Sequence, residues 1–167
     1  DFERLWQAFV TLRHATSGSA LKVHYDDPAK RALLKPEAVW EIENALELRA
    51  PAIHAASSVR SQWYETVIRL LDRFDFLALP TAQVFPFDVE THWPEEIAGR
   101  RMDSYHRWME VTALATMAGC PAVNLPAGFD ERGRSMGFQL IGRPRGDMDV
   151  LRAARAFEGL MPEPSRA

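Results

Sequence analysis

Two short apolar segments decide the fold: residues 120–129, CPAVNLPAGF, and residues 137–142, GFQLIG. A polar loop with one glycine, residues 130–135, joins them. Proline and glycine bound both segments, which is typical of strands rather than of buried helices. Each segment carries one polar residue among apolar ones, Asn124 in the first and Gln139 in the second. Strands that are apolar on both faces belong in a covered sheet, so we expect these two to lie side by side in the interior.

Helices are predicted on both sides of this pair from apolar residues at helical spacing and from helix start and stop signals. They cover residues 2–16, 37–49, about 52–73, 103–118 and 148–160. The Ser-Gly-Ser sequence at 17–19 is expected to end the first helix, and residues 20–35 show no clear period. In the last helix, the residues expected to face inward are Val150, Leu151, Ala154 and Phe157.

A third buried strand is predicted at residues 75–81, DFLALPT, where Pro80 ends the strand. The next 20 or so residues, 82–102, have no convincing period. Loops of this length in a compact domain are uncommon and often functional. Trp93 lies in this loop, and Tyr105 and Trp108 lie on the helix after it. These aromatic side chains are either ordinary core or the wall of an apolar pocket.

The totals describe an ordinary globular chain: 167 residues, 47% hydrophobic and 26% charged, with a net charge of −3. A weakly negative chain offers no global field for nucleic acid or for an acidic membrane, and no segment is apolar enough to span a bilayer. The single cysteine, Cys120, excludes an internal disulfide and fits a cytoplasmic location. The sequence begins inside a predicted helix without Met, from which we expect a piece of a longer protein.

Residues that could carry chemistry are few. The five histidines show no close metal-ligand spacing, and neither a G-x-S-x-G elbow nor a phosphate-binding glycine loop is present. Ser57 and Ser58 lie inside a predicted helix, and Cys120 lies at a helix-to-strand corner without a histidine to activate it. We therefore predict no catalytic residue, no metal ligand and no cofactor in this chain.

The two polar strand residues, Asn124 and Gln139, have two interpretations. A polar side chain on a buried strand costs a few kcal/mol unless it is hydrogen-bonded. The favoured interpretation is therefore a core amide bonded to loop backbone, because buried polar groups usually find partners. The alternative is that one of the two faces a ligand pocket.

Three segments together resemble the amidase signature family. Residues 75–81 resemble its D-x-L-x-x-P-T segment, residues 119–129 its G-x-P-A-x-x-x-P-x-G segment, and residues 137–142 its G-x-Q-L-I-G segment. The order and spacing of the three agree with the family. The resemblance implies an α/β fold with a mixed sheet covered by helices, in which residues 1–167 form a single piece, the C-terminal part of the amidase domain.

The resemblance also implies amide hydrolysis by a serine nucleophile with a second serine and a lysine. Those three residues lie in the N-terminal half of such enzymes, and this sequence holds no counterpart to them. The chain alone is therefore expected to be inactive and to contribute core sheet and part of the substrate pocket. We expect Tyr105, Trp108, Met109 and Trp93 to bind the substrate, a small-molecule amide, without nucleic acid or membrane.

Two alternatives stay open at this point. One is a non-catalytic α/β module that binds a small molecule or a protein. The other is a fragment of the glutamine-dependent amidotransferase A subunit, with other subunits and tRNA as partners. In those relatives an aspartate lies near the position of Met109, which cannot bind a substrate ammonium, so an apolar or aromatic amide is the expected substrate. Assembly into a homo-oligomer is compatible with each of these interpretations.

Overall fold

The computed structural model describes residues 1–161. Within it the chain forms two compact units, residues 1–65 and residues 66 onward. The division falls inside one long helix, Ala50–Leu71. None of the helices in residues 1–161 combines the length and the apolar character that crossing a membrane demands. The prediction that residues 1–167 form a single piece of one domain stays a prediction.

The first unit is helical. Its helices are α1 (Phe2–Arg13), α2 (Ser19–Tyr25), α3 (Pro28–Arg31), α4 (Pro36–Glu47) and the first part of α5 (Ala50–Leu71). Asp1 and Asp27 cap α1 and α3 by accepting backbone N–H groups, and proline opens α3 and α4. The predictions of helices at 37–49 and 52–73 are confirmed to within two residues at each end, the usual uncertainty of a helix boundary.

The helix end predicted at residues 17–19 is wrong. α1 continues through a π-helical turn, His14–Gly18, directly into α2, so residues 20–25 are helical as well. Gly18 is buried, and a Cβ on it would collide with the backbone carbonyl of Glu41 in α4. The glycine therefore permits a close approach of two helices instead of ending one.

Glu41 anchors this close approach. Its side chain is buried, with a residue exposure of 2%, and its two carboxylate oxygens contact Arg13 Nε and His14 Nδ1. The His14 ring also packs edge-on against Trp40, with ring centroids 4.6 Å apart. A buried carboxylate requires such partners, because an unpaired charge in the interior costs several kcal/mol. Glu41, Arg13 and His14 therefore have a structural role: they join the π-helical turn to α4.

The second unit holds the strands. They are β1 (Leu77–Pro80), β2 (Glu96–Ile97), β3 (Arg100–Arg101), β4 (Ala122–Phe129) and β5 (Ser135–Ile141). Its helices are a 3₁₀ helix (Tyr105–Thr112), α6 (Ala113–Ala118) and α7 (Asp147–Glu158). β2 and β3 form a small hairpin inside the segment 82–102, where no regular structure is predicted.

The central prediction is confirmed: residues 122–126 and 137–141 lie side by side. β4 and β5 pair antiparallel, with Ala122 opposite Ile141 and Asn124 opposite Gln139. β1 pairs antiparallel with the other edge of β5, so the sheet order is β1-β5-β4. The combination of helix and sheet confirms the α/β class, and every strand pair in residues 1–161 is antiparallel.

β5 is the central strand, and β4 is an edge strand of this three-stranded sheet. In β4 the side chains of Leu125 and Val123 are buried or half-buried, whereas Ala122, Asn124 and Pro126 are exposed. The expectation that both faces of β4 are covered is therefore wrong within the described chain. The exposed face carries Ala122 and Pro126, which are apolar but small or cyclic, so the run of apolar letters did not show that one face is open.

α7 packs on the sheet through a glycine. A Cβ on Gly142 would collide with Val150, which is buried on the inner face of α7. Phe138 on β5 meets Phe157 of α7 edge-on, with ring centroids 5.3 Å apart. Val150, Ala154 and Phe157 face inward as predicted, but Leu151 is 54% exposed and lies on the outer face.

Candidate functional site

One apolar cleft of about 230 Å³ lies where the end of β1, the segment after it, the 3₁₀ helix and the start of β5 meet. Aromatic and aliphatic side chains dominate its walls. Its lining residues are Thr81, Ala82, Val84, Phe85, Pro86, Phe87, Trp108, Ser135, Met136 and Gly137. A concave, mostly apolar site with a few polar groups is the usual form of a small-molecule pocket.

The segment after β1 lines the cleft because the strand ends at Pro80. Thr81 still donates its backbone N–H to the Gly137 carbonyl at 3.0 Å, and the chain then leaves the sheet. Two residues later, the side-chain oxygen of Gln83 accepts a hydrogen bond from Val111 N at 3.2 Å. This bond holds the segment along the 3₁₀ helix and turns residues 84–87 over the cleft.

Gly137 forms the floor. Over it, Thr81 Oγ1 donates a hydrogen bond to Asn124 Oδ1, which connects the end of β1 to β4 across the central strand. A Cβ on Gly137 would collide with Asn124 Oδ1 and would lie 3.0 Å from Thr81 Oγ1. The φ of Gly137 is not in the left-handed region, so space alone requires glycine here. Asn124 is exposed, so the prediction of a buried amide is wrong for this residue.

The back wall is the 3₁₀ helix. The sequence predicts one helix over 103–118, but residues 105–112 form a 3₁₀ helix, with non-helical backbone at Met109 (φ −120°, ψ 25°). Side chains three residues apart eclipse in a 3₁₀ helix, which places Tyr105 and Trp108 together, with ring centroids 6.4 Å apart. Phe87 meets Trp108 edge-on at 5.5 Å. The indole N–H of Trp108 is buried and has no hydrogen-bond acceptor among residues 1–161.

Gln139 fixes this wall to the sheet. Its side chain is buried, with a residue exposure of 7%, and its Nε2 donates to Pro80 O at 3.0 Å and to Val111 O at 3.4 Å. Val111 is thus held at both its carbonyl and its N–H, by Gln139 and Gln83. The favoured interpretation of Gln139 as a hydrogen-bonded core amide is confirmed.

The β4–β5 loop contacts one wall of the cleft, at Phe85. The Asp130 carboxylate accepts hydrogen bonds from the backbone N–H groups of Arg132 and Arg134, at 3.0 and 2.8 Å. It also accepts from Arg134 Nε and Nη2, at 2.8 and 2.7 Å. The backbone N–H of Arg134, followed by its guanidinium, holds the pKa of Asp130 below its ordinary value. Arg134 in turn lies over the ring of Phe85, with 5.1 Å from its Cζ to the ring centroid.

Of the four residues predicted to bind substrate, the described cleft contains Trp108. Tyr105 lies behind Trp108 and also contacts His92, with ring centroids 5.9 Å apart. Met109 is half-buried at the kink, where its carbonyl accepts a hydrogen bond from Thr112. Trp93 is half-buried and shows no ring contact with the other three in the described part of the chain. The role of each of the four in binding substrate stays a prediction.

The sequence did not single out the other residues that line the cleft. Phe85 and Phe87 lie in the aperiodic loop 82–102, and no period in that loop distinguishes them from Trp93. The one sequence feature that could have indicated them is Phe85-Pro86-Phe87. The proline restricts the backbone between the two rings and so limits their relative orientation. Thr81 and Gly137 meet only through strand pairing and left no local signal.

The described residues offer little reactive chemistry of their own. Among residues 1–161 no cluster of three His, Cys, Asp or Glu side chains could hold a metal ion. Burial raises the pKa of the Cys120 thiol, which disfavours the nucleophilic thiolate. Ser57 and Ser58 lie within α5, and Lys22 and Lys30 are paired with Asp26 and Asp27.

A larger hollow of about 490 Å³ lies between β1 and α7 and is lined by charged residues, including Asp75, Arg143 and Arg152. Its arginines already have partners. Arg143 contacts Asp72 at 3.1 Å and donates to the Leu71 carbonyl, and Arg152 contacts Asp149 at 3.0 Å. The apolar cleft is therefore the better candidate site, because the buried Trp108 N–H has no acceptor among residues 1–161 and is available to a ligand.

Comparisons with known proteins bear on the family and the fold of the chain. The chain is 32% identical over 103 residues to a glutamyl-tRNA(Gln) amidotransferase A subunit of Myxococcus xanthus, covering 62% of this chain and 20% of that protein. It is 29% identical over 122 residues to an acylamidase of Rhodococcus erythropolis, covering 72% of this chain and 25% of that protein. The crystal structure of a bacterial aryl acylamidase of the amidase signature family aligns with a TM-score of 0.78 and 26% identity, over 96% of this chain and 34% of that one.

The chain thus spans about a fifth to a quarter of the length of these curated relatives and about a third of the solved structure. The family model for amidases matches residues 8–151, which include the cleft and all five strands. The resemblance in residues 75–81, 119–129 and 137–142 is confirmed by this match. With most of its length inside the family model, the chain belongs to the amidase family.

Proposed function

We propose that this chain forms the substrate-binding wall of an amidase, and that the group bound beside the amide is aromatic or apolar. The observation that carries the proposal is the cleft lined by Phe85, Phe87 and Trp108, with a volume of about 230 Å³. A cavity of roughly 150 Å³ with apolar walls is large enough to bind benzene. The cleft therefore has room for one ring with a small substituent.

The reactive groups are proposed to lie outside this chain. Acyl transfer needs an activated nucleophile, a proton relay and an oxyanion hole. The three lysines all lie between residues 22 and 35, and Lys22 and Lys30 are paired with aspartates. In this proposal the chain is the C-terminal part of a hydrolase that acts on a small-molecule amide without a cofactor, in the cytoplasm, and Tyr105, Met109 and Trp93 support the pocket.

A matched pair of amides tests the proposal. The protein produced from its intact gene is assayed on 2-phenylacetamide and on 2-cyclohexylacetamide, which release the same ammonia and differ in whether the ring is aromatic. We expect a higher kcat/KM for 2-phenylacetamide. Trp108→Leu should lower this kcat/KM by about two- to twelvefold, the value of an aromatic contact of about 0.5–1.5 kcal/mol.

The control is Phe129→Leu, because Phe129 is 77% exposed and lies outside the cleft. It should leave both rates unchanged. Equal rates on the two amides in the parent protein, or a Trp108→Leu variant with the parent's preference, would refute an aromatic site in the cleft.

The second candidate is the A subunit of a glutamine-dependent amidotransferase, since curated relatives at 29–32% identity carry the name of a glutamyl-tRNA(Gln) amidotransferase. Against it stands Met109, where a carboxylate that could bind the ammonium of glutamine is expected. Release of ammonia from glutamine, together with co-purification of other subunits, would favour this candidate over an aryl amidase.

A further inference from the structure

Phe85 has no backbone support of its own. No hydrogen bond within the described chain involves Val84, Phe85 or Phe87, and residues 82–90 belong to no strand or helix. The nearest backbone anchors are Thr81 on one side and the Asp88–Thr91 turn on the other, apart from the side-chain bond of Gln83. The position of this cleft wall therefore depends on the contacts that the Phe85 ring makes.

One of those contacts comes from Arg134, whose guanidinium lies over the Phe85 ring. A guanidinium within about 6 Å of a ring centroid is attracted to the face of the ring. Arg134 follows the glycine of the β4–β5 loop, Gly133, which adopts a left-handed conformation (φ 75°). The loop thus turns tightly enough to bring the arginine back over the start of β5.

Arg134 is itself held firmly. Its Nε and Nη2 both donate to Asp130 Oδ2, while its backbone N–H donates to Asp130 Oδ1. The backbone N–H of Asp130 closes the loop by donating to the Arg134 carbonyl at 3.0 Å. A side chain fixed at both its backbone and its guanidinium loses little further freedom when it contacts the ring, which makes the contact more effective.

We propose that Arg134 is a positioning residue of the substrate cleft: held by Asp130, it fixes Phe85 as the wall against which an aromatic ring of the ligand packs. The inference rests on the proposed function, because it assigns a role to a residue that contacts a wall of the same cleft. The expected ligand is then a single flat ring. The β4–β5 loop contributes to the preference for that ring over a puckered ring of the same size.

The test uses two ring ketones that an amidase cannot hydrolyse, acetophenone and cyclohexyl methyl ketone. Their dissociation constants are measured for the protein from its intact gene by isothermal titration calorimetry. Arg134→Met keeps the aliphatic stem and removes the cation. We expect it to weaken acetophenone binding by up to about two- to fivefold, because the ordering of Phe85 that the ligand must then supply is bounded by a cation–π contact of about 0.5–1 kcal/mol, converted at 1.4 kcal/mol per tenfold.

The ratio of the two affinities separates positioning from general stability. Arg134→Met should lower the preference for acetophenone over the cyclohexyl ketone, and Arg134→Lys, which keeps a cation but loses the two-point contact with Asp130, should give a preference between those of the parent and Arg134→Met. Asp130→Asn should act in the same direction as Arg134→Met. The matched control is Arg152→Met, an exposed arginine paired with Asp149 on α7, which should change neither affinity.

The outcomes are distinct. A parent protein that binds neither ketone would refute the cleft as a binding site, and the role of Arg134 with it. A parent that prefers acetophenone, together with an Arg134→Met variant that keeps that preference, would overturn the role of Arg134 alone. An equal loss for both ketones in Arg134→Met would also overturn it, because that result indicates a structural effect. If Arg134→Met does not fold, Arg134→Lys and Asp130→Asn decide the matter by the same ratio.

Discussion

Replacing Gly137 by alanine tests the floor of the cleft. The new methyl group would collide with Asn124 Oδ1 and would lie 3.0 Å from Thr81 Oγ1 and 3.2 Å from Leu125 O. Overpacking of this kind costs about 1–3 kcal/mol, and loss of the Thr81–Asn124 hydrogen bond costs about 0.5–1.5 kcal/mol. Alanine also recovers about 0.5–1 kcal/mol, because glycine is unfavourable in a strand. The net destabilisation should be about 1–3 kcal/mol.

Urea denaturation measures this loss as a lower midpoint at an unchanged slope. The physical cause can be separated by a double-mutant cycle with Asn124→Ala, which removes the oxygen that the new methyl group meets. Gly137→Ala should cost clearly less in that background than in the parent protein. A neutral or stabilising Gly137→Ala, or the same cost in both backgrounds, would show that the space above Gly137 is not what the structure describes.

Three further predictions concern the sheet and the loop. Gln139→Leu should destabilise the protein by about 1–3 kcal/mol in urea, because it removes both hydrogen bonds of a buried amide and leaves the carbonyls of Pro80 and Val111 without this donor; a loss under about 0.5 kcal/mol would contradict the assignment. Phe138→Ala should cost about 2–3 kcal/mol by the same measurement, less than a fully buried phenylalanine, because Phe138 is half-buried; no loss would place it on the surface. NMR titration should give Asp130 a pKa below its ordinary value of 3.8. The ionised carboxylate therefore stabilises the folded state above pH 3.8, and this contribution is lost as the pH falls through the lower pKa of the folded protein. An Asp130→Asn variant should lack this part of the acid dependence of stability.

The strand pair was predictable because its signals are local. Proline and glycine mark both ends of the segments at 120–129 and 137–142, and the polar loop between them is short enough to join antiparallel neighbours. α7 was predictable for the same reason, from apolar residues at helical spacing. The failure at Leu151 concerns one position at the border of the apolar stripe, where spacing alone does not fix the face.

The failures at residues 17–35 have a tertiary cause. Ser17 and Gly18 are helix-ending signals in isolation, and the close approach of Gly18 to the Glu41 carbonyl overrides them. Tertiary context outweighs helix propensity of this size, which is at most about 1 kcal/mol for glycine. The same limit applies to residues 105–112, because apolar spacing does not distinguish a 3₁₀ helix from an α-helix over two turns.

The candidate site was predictable only in part. Trp108 was found because aromatic residues on a helix beside a long aperiodic loop suggest a pocket wall. Gly137 and Thr81 were not, because their contact depends on the register of three strands. Arg134 was unremarkable in the sequence, as one of three charged residues in the loop between Asp130 and Ser135. Its position over Phe85 follows from the loop conformation that Asp130 imposes.

The decisive experiment is a crystal structure of the protein from its intact gene with acetophenone bound. We expect the phenyl ring between Phe85, Phe87 and Trp108, above Gly137, in the cleft of about 230 Å³. A ring bound at another place while this cleft stays filled by its own side chains would contradict it.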